Sequence, residues 1–275
     1  MNYRHAFHAG NHTEVFKHAA LTIVLKRLAQ KPQPFMVLDT HAGIGSYDLT
    51  SEEAKRTGEK AAGVERIFGR KLISAPQYVD LLAEMNGDSI TTYPGSPEII
   101  RRMLREGDRL IACELHPEDG LRLERRYQFD QKISVQLRNG YEAIKALLPP
   151  QERRGLVFID PPFEQRDETT QLANALRIGA KKWATGVFFV WYPIKDSAIG
   201  DEIAGATVSA EFQKTLRAEF LPYERDGIRL AGSGIIICNT PWTVDESLRN
   251  LCHELMTLIG GPKGKWSVEW VAGGA

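Results

Sequence analysis

Apolar positions along the chain alternate between two rhythms. Val15, Phe16, Ala19, Ala20, Ile23, Val24 and Leu28 recur at the 3.6-residue period of an amphipathic helix, with Thr13 as its predicted cap. Phe35 to Asp39 is a short apolar run closing on an acid, as expected of a buried strand. From Tyr47 to about Tyr93 the pattern is helical and charge-rich, with no convincing strand. Gly95-Ser96-Pro97 then announces a helix, with Ser96 as N-cap, Pro97 at the first helical position and Glu98 in the first turn. Strands are expected at Leu110 to Leu115 and Ile133 to Leu137, with a helix opened by His116-Pro117 between them. Leu156 to Ile159 is unbroken apolar sequence, predicting a strand buried on both faces, and Pro161 and Pro162 stop it. A helix around 168 to 182 and a strand from Val187 to Trp191 follow. Leu216 to Leu221 and Ile235 to Cys238 are expected as an antiparallel closing pair, and Asp245 to Leu258 as a final amphipathic helix.

This alternation predicts an α/β chain with a parallel sheet of the Rossmann-like kind. Such a unit ordinarily places its second strand soon after the first. Residues 47–93 are therefore expected to be a helical insertion within a single domain spanning 1–275, lying over one side of the crevice. Residues 1–12 hold Tyr3, Arg4, His5, Phe7, His8, Asn11 and His12 with too little periodicity for a packed element, and are expected to be a functional arm.

Composition narrows the class. The chain has 35 Lys and Arg against 35 Asp and Glu, so no global field advertises a polyanionic partner and any basic patch must be local. Residues 1–31 are the most basic stretch, with five Lys or Arg, one acid and four His, and phosphate can be met there. Three cysteines without CxxC spacing argue for a reduced cytoplasmic chain lacking disulfides and structural zinc, with Cys113 and Cys238 in the core. No apolar stretch reaches the length of a membrane span, and the start carries no secretory apolar region.

The chemistry gathers at strand ends. Asp39 opens the turn DTHAGIG, where Gly43 and Gly45 allow close approach of backbone to a ligand and His41 either lines the site or caps the turn. Glu114 ends the next strand, the usual position for a carboxylate that binds ribose hydroxyls. Asn139-Gly140 can read an adenine edge or form a plain turn. Asp160-Pro161-Pro162-Phe163 suits methylation of an amino group whose lone pair is delocalised. The Asp160 carboxylate and the Pro161 carbonyl can accept both amino hydrogens and aim the nitrogen lone pair, while Phe163 offers a stacking face for a flipped base. Asn239-Thr240-Pro241-Trp242 imitates this motif and reads as a decoy.

In order, these are the motifs of S-adenosylmethionine-dependent amino methyltransferases. YRHAFHAGNHTEVFKH, LDTHAGIGSYDL, TYPGSPEIIRRMLR, ELHP, RRGLVFIDPPF and TGVFFVWYP resemble the RlmJ-type 23S ribosomal RNA adenine-N6 methyltransferases over nearly the whole chain. The resemblance implies S-adenosylmethionine as cofactor, with S-adenosylhomocysteine as product and no metal. It also implies 23S ribosomal RNA as partner, with the protein a cytoplasmic monomer. It places His18, His41 and Ser96 around the methionyl part of the cofactor, Glu114 at its ribose, Asn139, Gly140 and Asp160 in the same site, Asp160 as catalytic acceptor, and Tyr3 and Phe163 at the RNA. Two departures stand out. The family more often has Asp-Gly where this chain has Asn139-Gly140, and DPPY where it has DPPF. A DNA adenine or protein-glutamine methyltransferase could use the same motif, and a non-catalytic module could retain the fold. The short space left for a recognition domain opposes the DNA reading, and the intact Asp160 opposes the non-catalytic one.

Overall fold

The computed structural model describes residues 8–195, 198–225 and 230–274. The chain opens with helix α1 (His12–Ala29) and strand β1 (Met36–Asp39), followed by β2 (Ser46–Asp48), α2 (Glu52–Thr57), a 3₁₀ turn at Glu59–Ala62, α3 (Val64–Ile67), α4 (Pro76–Asn86) and β3 (Thr92–Pro94). Helix α5 (Ser96–Met103), β4 (Arg109–Glu114), α6 (Pro117–Tyr127), β5 (Ile133–Leu137), α7 (Gly140–Leu147) and β6 (Gly155–Ile159) continue the alternation. It ends with α8 (Glu168–Lys182), β7 (Val187–Ile194), α9 (Ala198–Ser209), β8 (Thr215–Leu221), β9 (Gly232–Cys238), α10 (Val244–Ile259) and β10 (Lys265–Ala272).

Eight strands form one sheet in the order β10-β8-β9-β7-β6-β1-β4-β5, parallel from β5 through β7 and antiparallel where β9 and β10 enter. This is the Rossmann-like arrangement, and the order reverses between β1 and β6, where such sheets bind ligands beyond their carboxyl ends. Along β6, Phe158 faces a core shared with α1, α5 and α10, whereas Val157 and Ile159 face α7, α8 and α9. Both faces are covered, which is why β6 reads as unbroken apolar sequence.

Several local expectations are corrected. Asn11, not Thr13, caps α1: its Oδ1 accepts the backbone N–H groups of Thr13 (3.0 Å) and Glu14 (2.9 Å). Gly95 occupies the N-cap position of α5, and Ser96 is the first helical residue with its hydroxyl used elsewhere. The span from 47 to 93 is bracketed by β2 and β3, paired antiparallel with Tyr47 opposite Tyr93; strands of three residues are too short to show alternation. Helix α9 and strand β10 were not predicted. The antiparallel β8–β9 pair was, but β9 runs against β7, so Asn239 lies at the sheet edge opposite Asp160 and the decoy motif is remote from the crevice. Cys113 and Cys238 are buried and free as expected. Among the described residues no helix is long and apolar enough to cross a membrane.

Helix α1 departs most from its pattern. Fifteen of its eighteen residues are buried, because it is packed between the sheet, α4, α5 and α10. Its polar side chains Glu14, Lys17 and His18 are therefore inside the protein and must find partners there.

Candidate active site

A cleft of about 1140 Å³ opens at the carboxyl ends of β1, β4 and β6. His18, His41, Ser96, Glu114, Asn139, Gly140, Asp160 and Phe163, dispersed between positions 18 and 163 of the sequence, all line it. Tyr3 and residues 1–7 of the expected arm lie outside the described residues.

The glycine loop after β1 sets one wall. Gly43 is in the left-handed region at φ +62°, and a Cβ there would come within 2.3 Å of the Tyr47 hydroxyl. Its N–H donates to Glu114 Oε2 at 2.8 Å, and the His116 N–H donates to Oε1 at 2.8 Å, so β4 presents a carboxylate held by two backbone donors. A Cβ on Gly140 would meet the Thr40 carbonyl oxygen at 2.1 Å, so only glycine permits α7 to start this close to the loop. Asn139 uses its oxygen within the turn. Its Oδ1 accepts from the N–H groups of Tyr141 (2.8 Å) and Glu142 (3.3 Å), capping α7 as any helix with orphan donors requires.

Behind this wall lies Asp39, fully buried, accepting the Ser96 hydroxyl at Oδ2 (2.7 Å) while Oδ1 has no partner. Burial pushes its carboxyl up to about 7, against the Ser96 hydrogen bond, which lowers it, and with help from the Asp160 charge. His41 Nδ1 is 2.8 Å from the Thr40 hydroxyl, and burial brings its pKa down to about 4, leaving a neutral ring packed edge-on to Tyr141 at 5.3 Å. His18 Nδ1 is 2.9 Å from the Tyr93 hydroxyl, which meets the Tyr78 hydroxyl at 2.9 Å, tying α1 to α4 and β3.

At the end of β6, Asp160 Oδ2 accepts from the Lys17 ammonium at 2.5 Å. Lys17 also pairs with Glu14 one turn earlier on α1 and lies 5.0 Å from the centre of the Trp191 ring. Burial opposes the charge on Lys17, but the two carboxylates outweigh it and raise its pKa. Phe163 has φ +50°, a conformation rare for a ring-bearing residue, and its ring packs on Trp191 at 6.3 Å. Lys17 and Trp191 were not among the predicted site residues. A lysine within a mostly apolar helix, three residues after Glu14, was a usable signal for the first; Trp191 reads as core.

The rim is built by the chain just before α1. His8 Nδ1 lies 3.0 Å from Glu59 Oε2, and Asn11 Nδ2 donates to the same oxygen at 2.9 Å. The Val64 N–H donates to the Gly10 carbonyl at 2.8 Å. The Glu59 hydrogen bond raises the His8 pKa against the opposing effect of burial. His12, edge-on to Tyr223 at 5.2 Å, goes the other way: burial brings it down to about 4 against the pull of Glu59.

Comparison with known proteins gives concordant results. A family model described as "Ribosomal RNA large subunit methyltransferase D, RlmJ" matches residues 32–272. The ribosomal RNA large subunit methyltransferase J of Haemophilus influenzae is 36% identical, covering 98% of this chain and 99% of that protein, and the Escherichia coli protein of the same name matches to the same extent. A crystal structure of a Legionella pneumophila protein, 31% identical, superposes with a TM-score of 0.89 over 96% of this chain and 98% of its own.

Proposed function

The chain belongs to the RlmJ family of ribosomal RNA large subunit methyltransferases, and from that premise we propose that it transfers a methyl group from S-adenosylmethionine to the N6 amino group of a flipped adenine in 23S ribosomal RNA. The observation that carries this reading is the Asp160 carboxylate, held by Lys17 at the end of β6, in one cleft with the glycine loop and Glu114.

The residues present fit the cofactor. Glu14, Glu114 and Asp160 line the cleft against Lys17, the one buried ammonium among the described residues. Such a surplus of acids favours a cationic ligand. Bound there, S-adenosylmethionine supplies an electrophilic methyl group on a sulfonium. Glu114 accepts the ribose hydroxyls, Gly43 and Gly140 keep the walls free of side chains, and His18, His41 and Ser96 surround the methionyl part. Asn139 acts on this site through the start of α7 rather than as a reader of N6.

Asp160 and the Pro161 carbonyl accept the two amino hydrogens and draw the nitrogen towards tetrahedral geometry; Asp160 then takes the departing proton. Lys17 fixes the carboxylate by one oxygen, so its orientation does not have to be found at each turnover. Phe163 stacks on the base, and Tyr3 meets the RNA from the arm. The helices between β2 and β3 cover one side of the cleft within a single domain. The protein acts as a cytoplasmic monomer without a metal.

The test is incubation with tritiated S-adenosylmethionine and, separately, naked 23S ribosomal RNA, duplex DNA and release-factor protein. Label in N6-methyladenosine from the RNA is the expected result. Label confined to DNA, or to glutamine in the protein, would overturn the substrate assignment, and no label in any arm would overturn the enzyme.

A further inference from the structure

Trp191 is a buried polar group that the proposed chemistry leaves unused. It lies on β7 one residue past Val190, which pairs with Ile159 of β6, so the register sets Trp191 level with Asp160 on the neighbouring strand. Both belong to the face covered by α1, since Phe158 and Phe189, two residues before each, pack in that core. The indole is held on two sides, by the Lys17 ammonium 5.0 Å from its ring centre and by the Phe163 ring at 6.3 Å. Its ring lines the cleft, yet its Nε1–H is buried without a hydrogen-bond partner. An indole nitrogen can only donate, and a buried donor left unmatched is costly. β7 continues to Ile194 in regular pairing with β9, so the position is not an accident of a loose loop. Nε1 itself is shielded from solvent, so an acceptor brought by the substrate reaches it once binding shifts the side chains packed on the ring.

We infer that Trp191 is a substrate-reading residue: its Nε1–H donates to a ring nitrogen of the target adenine, N1 or N7, the two acceptors that flank the amino group held by Asp160. This rests on the assignment of adenine N6 as the methyl acceptor. Phe163 and Trp191 then divide recognition, one stacking on the face of the base and the other bonding its edge. The edge bond is selective in a way that stacking is not, because every base has a face but only some present an acceptor beside an amino group.

Trp191→Phe keeps an aromatic ring under the Lys17 ammonium and removes the donor. It should lower kcat/KM on 23S RNA about five- to tenfold, the loss of one hydrogen bond, with cofactor affinity unchanged. An RNA fragment carrying 1-deazaadenosine or 7-deazaadenosine at the target position should show the same loss with the wild-type enzyme in one of the two cases. Trp191→Phe should lose nothing further on that fragment. Equal turnover of both deaza fragments and the natural one by the wild-type enzyme overturns the inference even where Trp191→Phe fails to fold. So do losses that multiply between enzyme and RNA changes. Wild-type transfer to natural RNA is scored in the same experiment: its absence defeats the adenine assignment, whereas its presence with an unaffected Trp191→Phe defeats the indole bond alone.

Discussion

At the residue scale, Asp160 has two duties that a single substitution cannot separate. It is the proposed acceptor at the nitrogen and also one of two carboxylates that neutralise Lys17, whose side chain is 1% exposed. Asp160→Ala is expected to abolish transfer, leaving under about a tenth of wild-type turnover. It should also lower stability by about 3 kcal/mol, since a buried ion pair loses one partner. Turnover in single-turnover assays and urea midpoints of the same variant check both; normal turnover would remove the acceptor role, and unchanged stability would mean that Glu14 suffices for Lys17. Phe163 presents a different case, a ring held at positive φ against Trp191. Phe163→Tyr should be near neutral, whereas Phe163→Ala should lose about 1 to 3 kcal/mol of substrate interaction, read as kcat/KM on RNA, with cofactor affinity preserved.

At the element scale, α1 joins the site to the rim. It carries Glu14, Lys17 and His18 inward, and its position is set at its first turn by Asn11, which caps the helix and also donates to Glu59. Asn11→Ala should therefore cost about 1 to 2 kcal/mol, more than an isolated cap in a peptide, and should weaken cofactor binding through the displaced start of the helix. Thermal unfolding with and without S-adenosylmethionine measures both. Removal of residues 1–7 leaves the cap and the His8–Glu59 pair in place. We expect Tm to move by less than about 2 °C while kcat/KM on RNA falls at least about tenfold. Full activity of the truncated enzyme would rule out the arm as a substrate element.

At the scale of the whole molecule, the same burial that builds the site makes stability depend on pH. His12 and His41 are held near pKa 4, below the ordinary 6.5, so they contribute stability above pH 6.5 that is lost as pH falls towards 4. Asp39 is raised from 3.8 to about 7, so its contribution is full below 3.8 and is lost as pH rises through 7. Between about pH 4 and 6.5 the unfolded chain thus holds two protons that the folded protein lacks, and lacks one that it holds. For these three groups the net difference of one proton contributes a rise of about 1.4 kcal/mol per pH unit in the free energy of unfolding in this window. His41→Gln removes one imidazole and should lower the measured slope by about that amount. Urea titrations at pH 4.5, 5.5 and 6.5 provide the measurement, and a falling wild-type slope would show that Asp39 dominates.

Whatever is written in local period or in strand-end chemistry was legible in the chain. The apolar run 156–159 with its two prolines located β6 and Asp160, Pro97 located α5, and the glycines and Glu114 marked the edge of the sheet at which a ligand binds. These signals are legible because each depends on neighbouring residues or on backbone constraints. Packing between distant segments assigned each polar residue its purpose. The periodicity of α1 predicted one wet face, but packing on several sides buried Lys17 and forced it onto Asp160, 143 residues away. Thr13 and Ser96 looked like caps until Asn11 and Gly95 took those positions, leaving the Ser96 hydroxyl to Asp39. Trp191 read as core because its apolar neighbours are core; that its N–H lacks a partner follows from the register of β7 against β6 and from the placement of α1, and neither is encoded within the span of a strand. Charges and donors take their meaning from what burial places beside them, and burial is a property of the assembled layers.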